Sequence, residues 1–158
     1  MKYLTLTIVA SFLNIYNANA TPCTNFSGHW VGSCVYNTTP PLTKRYESLL
    51  DQKRCDWIGH TGSAQYYPIG NTLTQSYTWS EESGKYFVSN TYEYSWNDKK
   101  TALTAKIINT SKHENESTKV WNFKEELELD SGKLKKTFYE EVGGKLQWFY
   151  KCTAEIKN

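Results

Sequence analysis

Beyond residue 26 the chain alternates apolar and polar residues with a period of two. In the stretch 85–96, Tyr86, Val88, Asn90, Tyr92, Tyr94 and Trp96 share one side, opposite Ser89, Thr91, Glu93 and Ser95. In 72–80, Leu73, Gln75, Tyr77 and Trp79 oppose Thr74, Ser76 and Thr78. Within 118–129, Trp121, Phe123, Glu125, Leu127 and Leu129 oppose Asn122, Lys124, Glu126 and Glu128. Over 145–156, Leu146, Trp148, Tyr150, Cys152, Ala154 and Ile156 face together. Side chains in a strand point alternately to opposite faces, so each apolar set predicts a buried side. Strands are predicted over 26–37, 46–58, 64–69, 72–80, 85–96, 101–111, 118–129, 133–142 and 145–156, rich in the β-branched and aromatic residues a pleated surface accommodates.

The connections carry turn chemistry: Gly70-Asn71, Ser83-Gly84, Asn97-Asp98, Asp130-Ser131-Gly132 and Gly143-Gly144. The stretch 38–45, with Pro40-Pro41, is expected as the longest loop. No segment keeps a helical apolar period and no linker divides the chain. Short hairpins make successive strands antiparallel neighbours. A single open layer would leave two exposed edges, whereas an up-and-down barrel removes them. A two-layer sandwich would need longer crossovers than these turns allow. The expectation is an all-β, single-domain antiparallel barrel of about eight to nine strands spanning 21–158, without a C-terminal helix.

Phe26-Ser27-Gly28-His29-Trp30 opens the first strand, placing Phe26, Gly28 and Trp30 on one face. Preceded by Asn25, this run resembles the opening strand of the lipocalins and the wider calycin group of small β-barrels. Gly32-Ser33-Cys34 also resembles the avidin-like calycins. The likeness covers about residues 25–36 and implies structural roles for Gly28 and Trp30, the indole closing the barrel floor. The basic residue that lipocalins place over that indole has one candidate here, Lys151, but its parity is opposite to Trp148 and Tyr150, so that role is left unassigned. No Thr-Asp-Tyr turn motif and no biotin-site pattern are present, so no ligand residue is carried over.

The first twenty residues read as a signal peptide. Lys2 precedes a mostly apolar stretch from Leu4 to Leu13, and Ala18-Asn19-Ala20 forms a small-x-small cleavage site. The stretch is too short and too polar for a membrane span. Cys23, Cys34, Cys55 and Cys152 all follow it, and an even count in an exported chain predicts two disulfides. Cys23 precedes the first strand and Cys34 and Cys152 share the inward parity of the closing strands, which favours Cys23–Cys55 with Cys34–Cys152; Cys23–Cys152 with Cys34–Cys55 is the next choice. A secreted or periplasmic location follows. The formal charge of +2 includes Lys2 and no long basic tract, which argues against nucleic-acid binding. Asn-x-Ser/Thr sequons begin at Asn25, Asn37, Asn109 and Asn115.

Chemistry is sparse. His29 faces opposite Trp30, His60 and His113 fall in connecting segments, and no nucleophile or metal motif accompanies any of them. Glu81-Glu82, Glu125-Glu126 and Glu140-Glu141 are sequence neighbours pointing to opposite faces, unsuited to paired acid–base work. No enzyme, cofactor or metal is predicted. The inward set is different: Gln75, Tyr77, Trp79, Asn90, Tyr92, Tyr94, Trp96, Trp121, Glu125, Trp148 and Tyr150 combine π surface with a few polar groups, as ligand pockets do. These residues are expected to bind a small amphipathic or aromatic molecule, Gln75 and Glu125 orienting it. The competing expectations are an interior filled by its own side chains, with a protein partner held by loops 38–45 and 59–64, and a bulge that turns Glu125 outward.

Overall fold

The computed structural model describes residues 22–60, 65–81 and 84–157; the expected signal peptide lies outside them. Ten strands form one antiparallel sheet: β1 (Gly28–Tyr36), β2 (Leu42–Lys53), β3 (Trp57–His60), β4 (Tyr66–Pro68), β5 (Thr72–Glu81), β6 (Gly84–Trp96), β7 (Ala102–His113), β8 (Lys119–Asp130), β9 (Lys133–Val142) and β10 (Lys145–Ile156). Their lateral order is β4-β3-β2-β1-β10-β9-β8-β7-β6-β5. Every chain-consecutive pair except β4–β5 is hydrogen-bonded, and β1 and β10 join the two halves.

The sheet is an up-and-down barrel, nearly closed. Its ends meet low in the wall, where Ile69 bridges Tyr94 in parallel and the Gly70 N–H donates to the Tyr94 carbonyl at 2.7 Å. The Tyr67 ring packs there on Tyr92 and Tyr94, with centroids 4.6 and 5.3 Å away.

Two boundaries differ from expectation. The predicted strand 46–58 is two strands, split by a turn at Arg54 whose φ of 60° is left-handed. Arg54-Cys55-Asp56 carries no glycine or proline to announce it. The expected loop 38–45 is shorter, because β2 already begins at Leu42. The hairpin turns behave as their residues dictate. Gly143-Gly144, with φ of 60° and 77°, forms a two-residue turn between β9 and β10, a geometry that requires positive φ at both positions.

The core lies at the floor. Phe26, wholly buried though it precedes β1, stacks on Trp96 with centroids 5.8 Å apart. Trp30 is buried beside it, its indole N–H donating to the Phe26 carbonyl at 2.9 Å. The floor role expected of Trp30 therefore holds. Gln52 clasps this N-terminal segment: its Oε1 accepts from the Phe26 N–H, and its Nε2 donates to the carbonyls of Thr24 and Arg54. Leu50, Ile58, Leu103, Ala105, Leu127, Leu134 and Ala154 complete the core.

Both disulfides form, as Cys23–Cys55 and Cys34–Cys152. The first ties the floor segment to the β2–β3 turn; the second joins directly opposed residues of β1 and β10. Gly32 faces Ala154 across the same pair of strands, and a Cβ there would lie 2.0 Å from the Thr153 carbonyl oxygen. Only glycine permits that approach.

Trp30→Ala should cost about 3–5 kcal/mol, the usual range for deleting a large buried aromatic. Equilibrium urea unfolding of the oxidised protein measures it, and an unchanged midpoint would remove Trp30 from the core. Gly32→Ala should be the more damaging of the two, since the clash is with backbone; a Gly32→Ala protein as stable as wild type would contradict the close β1–β10 approach.

Candidate functional site

Strand register arranges the inward side chains in rows. The lowest of these runs Leu129, Leu134 and Ala154; the row above it runs Trp96, Leu103, Leu127, Lys136, Cys152 and Cys34, and the next runs Tyr94, Ala105, Glu125, Phe138, Tyr150 and Tyr36. Above these come Leu73, Tyr92, Ile107 and Phe123, and then Gln75, Asn90, Asn109 and Trp121. Of the residues expected to line a site, Gln75, Asn90, Tyr92, Tyr94, Trp96, Trp121, Glu125 and Tyr150 do share the inner face. Tyr77 and Trp79 keep that register opposite Val88 and Tyr86, but their side chains fall outside the described residues.

Trp148 is a correction. The register of β9 with β10 shifts between Trp148 and Tyr150, so Phe149 is a bulge residue and parity reverses below it. Trp148 sits opposite Tyr139 on the outer face, with the Lys151 ammonium 5.1 Å from its ring centroid. Lys151 thus covers an outer indole, not Trp30. Phe149 instead packs edge-on against Tyr36, its centroid 5.8 Å away. Leu146 follows Trp148 to the outside.

The inner rows differ in depth. Tyr94 is buried, and Trp96 is held by its stack on Phe26 and by its N–H donating to the Cys55 carbonyl at 2.9 Å; both are floor packing. Tyr36, Asn90, Tyr92, Trp121, Phe123, Phe138 and Tyr150 are half-buried and leave part of their surface open. Phe138 stacks flat on Tyr150 with centroids 5.1 Å apart, and the Asn109 amide donates to Asn90 Oδ1 at 2.5 Å. That contact takes the Asn109 sequon inside the barrel.

At the base of this open half lies a charge pair. Lys136 Nζ is 2.7 Å from Glu125 Oε2, with only 12 % and 13 % of the two side chains exposed. Glu125 is therefore inward, and no bulge turns it out. Small Ala105 beside it leaves room for the carboxylate. Burial acts to lower the Lys136 pKa, but Glu125, followed by Tyr150 and Tyr46, outweighs it and holds the ammonium above the usual lysine value. Burial, followed by the Glu125 charge, pushes the Tyr94 phenol well up. Below the pair, Leu50, Ile58, Gly59, Tyr67, Tyr94, Glu125 and Leu127 bound a void of about 10 Å³, room for one water. The floor is filled, and the rings that keep open surface lie above it.

Tyr36, Tyr46, Asn109, Phe123, Lys136 and Phe138 are the inner-face residues beyond the set predicted to line a site. Period two along 133–142 puts Leu134, Lys136 and Phe138 on one face, and that pattern was the available signal.

The outer face is concave as well. A groove of about 430 Å³ runs over β6–β10 between Thr91, Ile108, Asn122, Glu141 and Leu146. His29 and His113 lie away from the interior base. His29 bonds Glu47 at 2.7 Å on the outer face, and the His113 ring is tilted against Tyr86 near the β5–β6 hairpin with centroids 4.5 Å apart.

Replacing Lys136 with Met strands the Glu125 carboxylate and should cost about 3–5 kcal/mol at pH 7, whereas Glu125→Gln with Lys136→Met should recover most of that loss. A lysine whose folded pKa is raised contributes stability in full below its unfolded value and loses it only as pH climbs past that. The gap between wild type and Lys136→Met should therefore persist from pH 7 to pH 10 and close only above the ordinary lysine pKa of 10.5. Urea midpoints across that range check it; a gap that closes below pH 9 would show that the pair is not what Lys136 provides. Compared with known proteins, the chain matches no protein-family model and no curated protein sequence.

Proposed function

We propose that this chain is an exported, calycin-like β-barrel that binds a small amphipathic or aromatic molecule, without covalent chemistry or cofactor, in the open half of its interior. The observation that carries the reading is the Lys136–Glu125 pair beneath half-buried aromatic walls. Buried ion pairs seldom stabilise a fold more than apolar residues of the same volume would, so retention of this one is better explained by polar recognition than by stability. Tyr36, Tyr92, Phe123, Phe138 and Tyr150 supply flat apolar contact, and the charge pair with the Asn90–Asn109 amides supplies the few orienting groups a pocket needs. The charge pair is neutral overall, which favours a ligand with both donor and acceptor over a strongly charged one. The leader expected at 1–20 and the two disulfides support export. No helix among the described residues is long and apolar enough to cross a membrane. The F-x-G-x-W run on a floor strand supports the calycin reading.

A second reading, a secreted protein-binding module, is favoured by the outer groove, to which exposed Ile108 and Leu146 contribute apolar surface. Ile108→Glu would abolish capture of such a partner and leave an interior ligand untouched.

Fatty acids, aromatic metabolites and lipids screened against residues 21–158 by tryptophan fluorescence and thermal shift should yield a binder. Its quenching should disappear in Trp121→Phe. Tyr92→Ala should weaken the same binder by roughly 1–3 kcal/mol with the barrel still folded. Silence across the screen, or a binder indifferent to Tyr92 and Lys136, would end the interior-ligand proposal.

A further inference from the structure

Polar groups occupy two levels of the inner face, with apolar and aromatic side chains between them. The lower level is the Lys136–Glu125 pair, with Tyr46 and Tyr150 close enough to Lys136 to act on its charge. The upper level is Asn90 on β6 and Asn109 on β7, whose amides hydrogen-bond at 2.5 Å, in register with Trp121 on β8. From Glu125 to Trp121 is about 13 Å of strand. On β5 to β8 the level between is Leu73, Tyr92, Ile107 and Phe123. Glu140, opposite Phe123 on β9, lines a recess with Asn37 and Phe149 instead. The rings at this waist are held by neighbours: Tyr92 packs on Tyr67, and Phe123 is tilted against Phe138, which stacks flat on Tyr150. Such a wall discriminates between ligands. A chain with one polar head satisfies one level only; where its tail covers the other, amides or charges lose water and gain no partner. A molecule with a polar group at each end and a flat apolar middle meets both.

We propose that the interior ligand is two-ended: an elongated aromatic molecule with an uncharged hydrogen-bonding group, a phenol or an amide, at each end. One end meets the Lys136–Glu125 pair and the other meets Asn90 and Asn109. The inference rests on the interior-ligand reading and narrows it from amphipathic or aromatic molecules at large to one class. A hydroxyl or amide both donates and accepts, so a single group can donate to the Glu125 carboxylate and accept from the Lys136 ammonium. The ends are uncharged because the lower pair is already neutral and a primary amide carries no charge to compensate an ion. The flat middle lies against the Tyr92 and Phe123 rings, where offset or edge contacts between π surfaces favour an aromatic body over an acyl chain.

Biphenyl, its para-hydroxy derivative and its para,para′-dihydroxy derivative share one body and differ only at their ends. In calorimetric titrations of oxidised residues 21–158, the dihydroxy compound should bind at least about tenfold more tightly than the monohydroxy one, the worth of one hydrogen bond shielded from water. Asn90→Leu with Asn109→Leu removes both amides together, so neither is left stranded, and should cut that advantage to within about threefold. The monohydroxy compound, still able to use the lower end, should keep its wild-type affinity. Glu125→Leu with Lys136→Met should do the same from the other end, which keeps the test open if the first variant does not fold. The wild-type series decides by itself if neither variant folds. Wild-type protein that binds none of the three compounds would overturn this inference and the interior-ligand reading together. A dihydroxy compound with no advantage, or with an advantage that survives either double replacement, would overturn the two-ended ligand alone.

Discussion

The structure hangs on a plug made by a segment outside the sheet. Phe26 precedes β1, yet no part of it reaches solvent, and it is flanked by Trp96 from β6 and Trp30 from β1. An up-and-down barrel has open ends, and apolar side chains at an open end stay wet. Folding residues 23–27 back across the floor removes that water and buries Phe26 completely. The segment's backbone would be a liability there without partners. Gln52, at the Phe26 N–H and the Thr24 carbonyl, and the Lys100 carbonyl, at the Thr24 N–H, provide them, and Cys23–Cys55 anchors the chain to the β2–β3 turn. Burial, hydrogen bonding and the cross-link support one another at this single place.

A firm floor permits a loose upper half. Because apolar packing is concentrated around Trp30, Leu103, Leu127 and Leu134, the rows above can carry polar side chains and half-buried rings without unfolding the barrel. Lys136 and Glu125 stand at the transition between these regions, each neutralising the other where neither could be buried alone. The inner face thus changes character over two rows, from close-packed to half-buried. Outside, the bulge at Phe149 has a comparable effect: it moves Trp148 and Leu146 from the interior to the surface and gives the outer groove one of its apolar walls.

Much of this was legible residue by residue. Period two assigned the inner faces of β5, β6 and β8, because one face of a half-buried strand must be apolar. Turn pairs such as Gly143-Gly144 marked the hairpins, because few residues tolerate positive φ. The disulfide pairing was left between two choices, and only the β1–β10 register, with Cys34 opposite Cys152, selects one.

What the sequence determined by itself is therefore local and repetitive: strands, hairpins, faces, and an all-β barrel as the way to join them. Tertiary structure decided the rest, wherever two distant segments had to meet. The Arg54 turn has no glycine or proline of its own and exists where Cys55 meets Cys23. Gly32 is required only because Thr153 comes so near. Trp148 faces out because one extra residue in β10 reversed an alternation that the sequence continues unchanged. Lys136 reads as a surface lysine until Glu125 of the adjacent strand is placed beside it. Alternation is a property of one strand and can be read along it. Register, bulges and charge pairing are relations between strands, and they come into being only when the sheet closes.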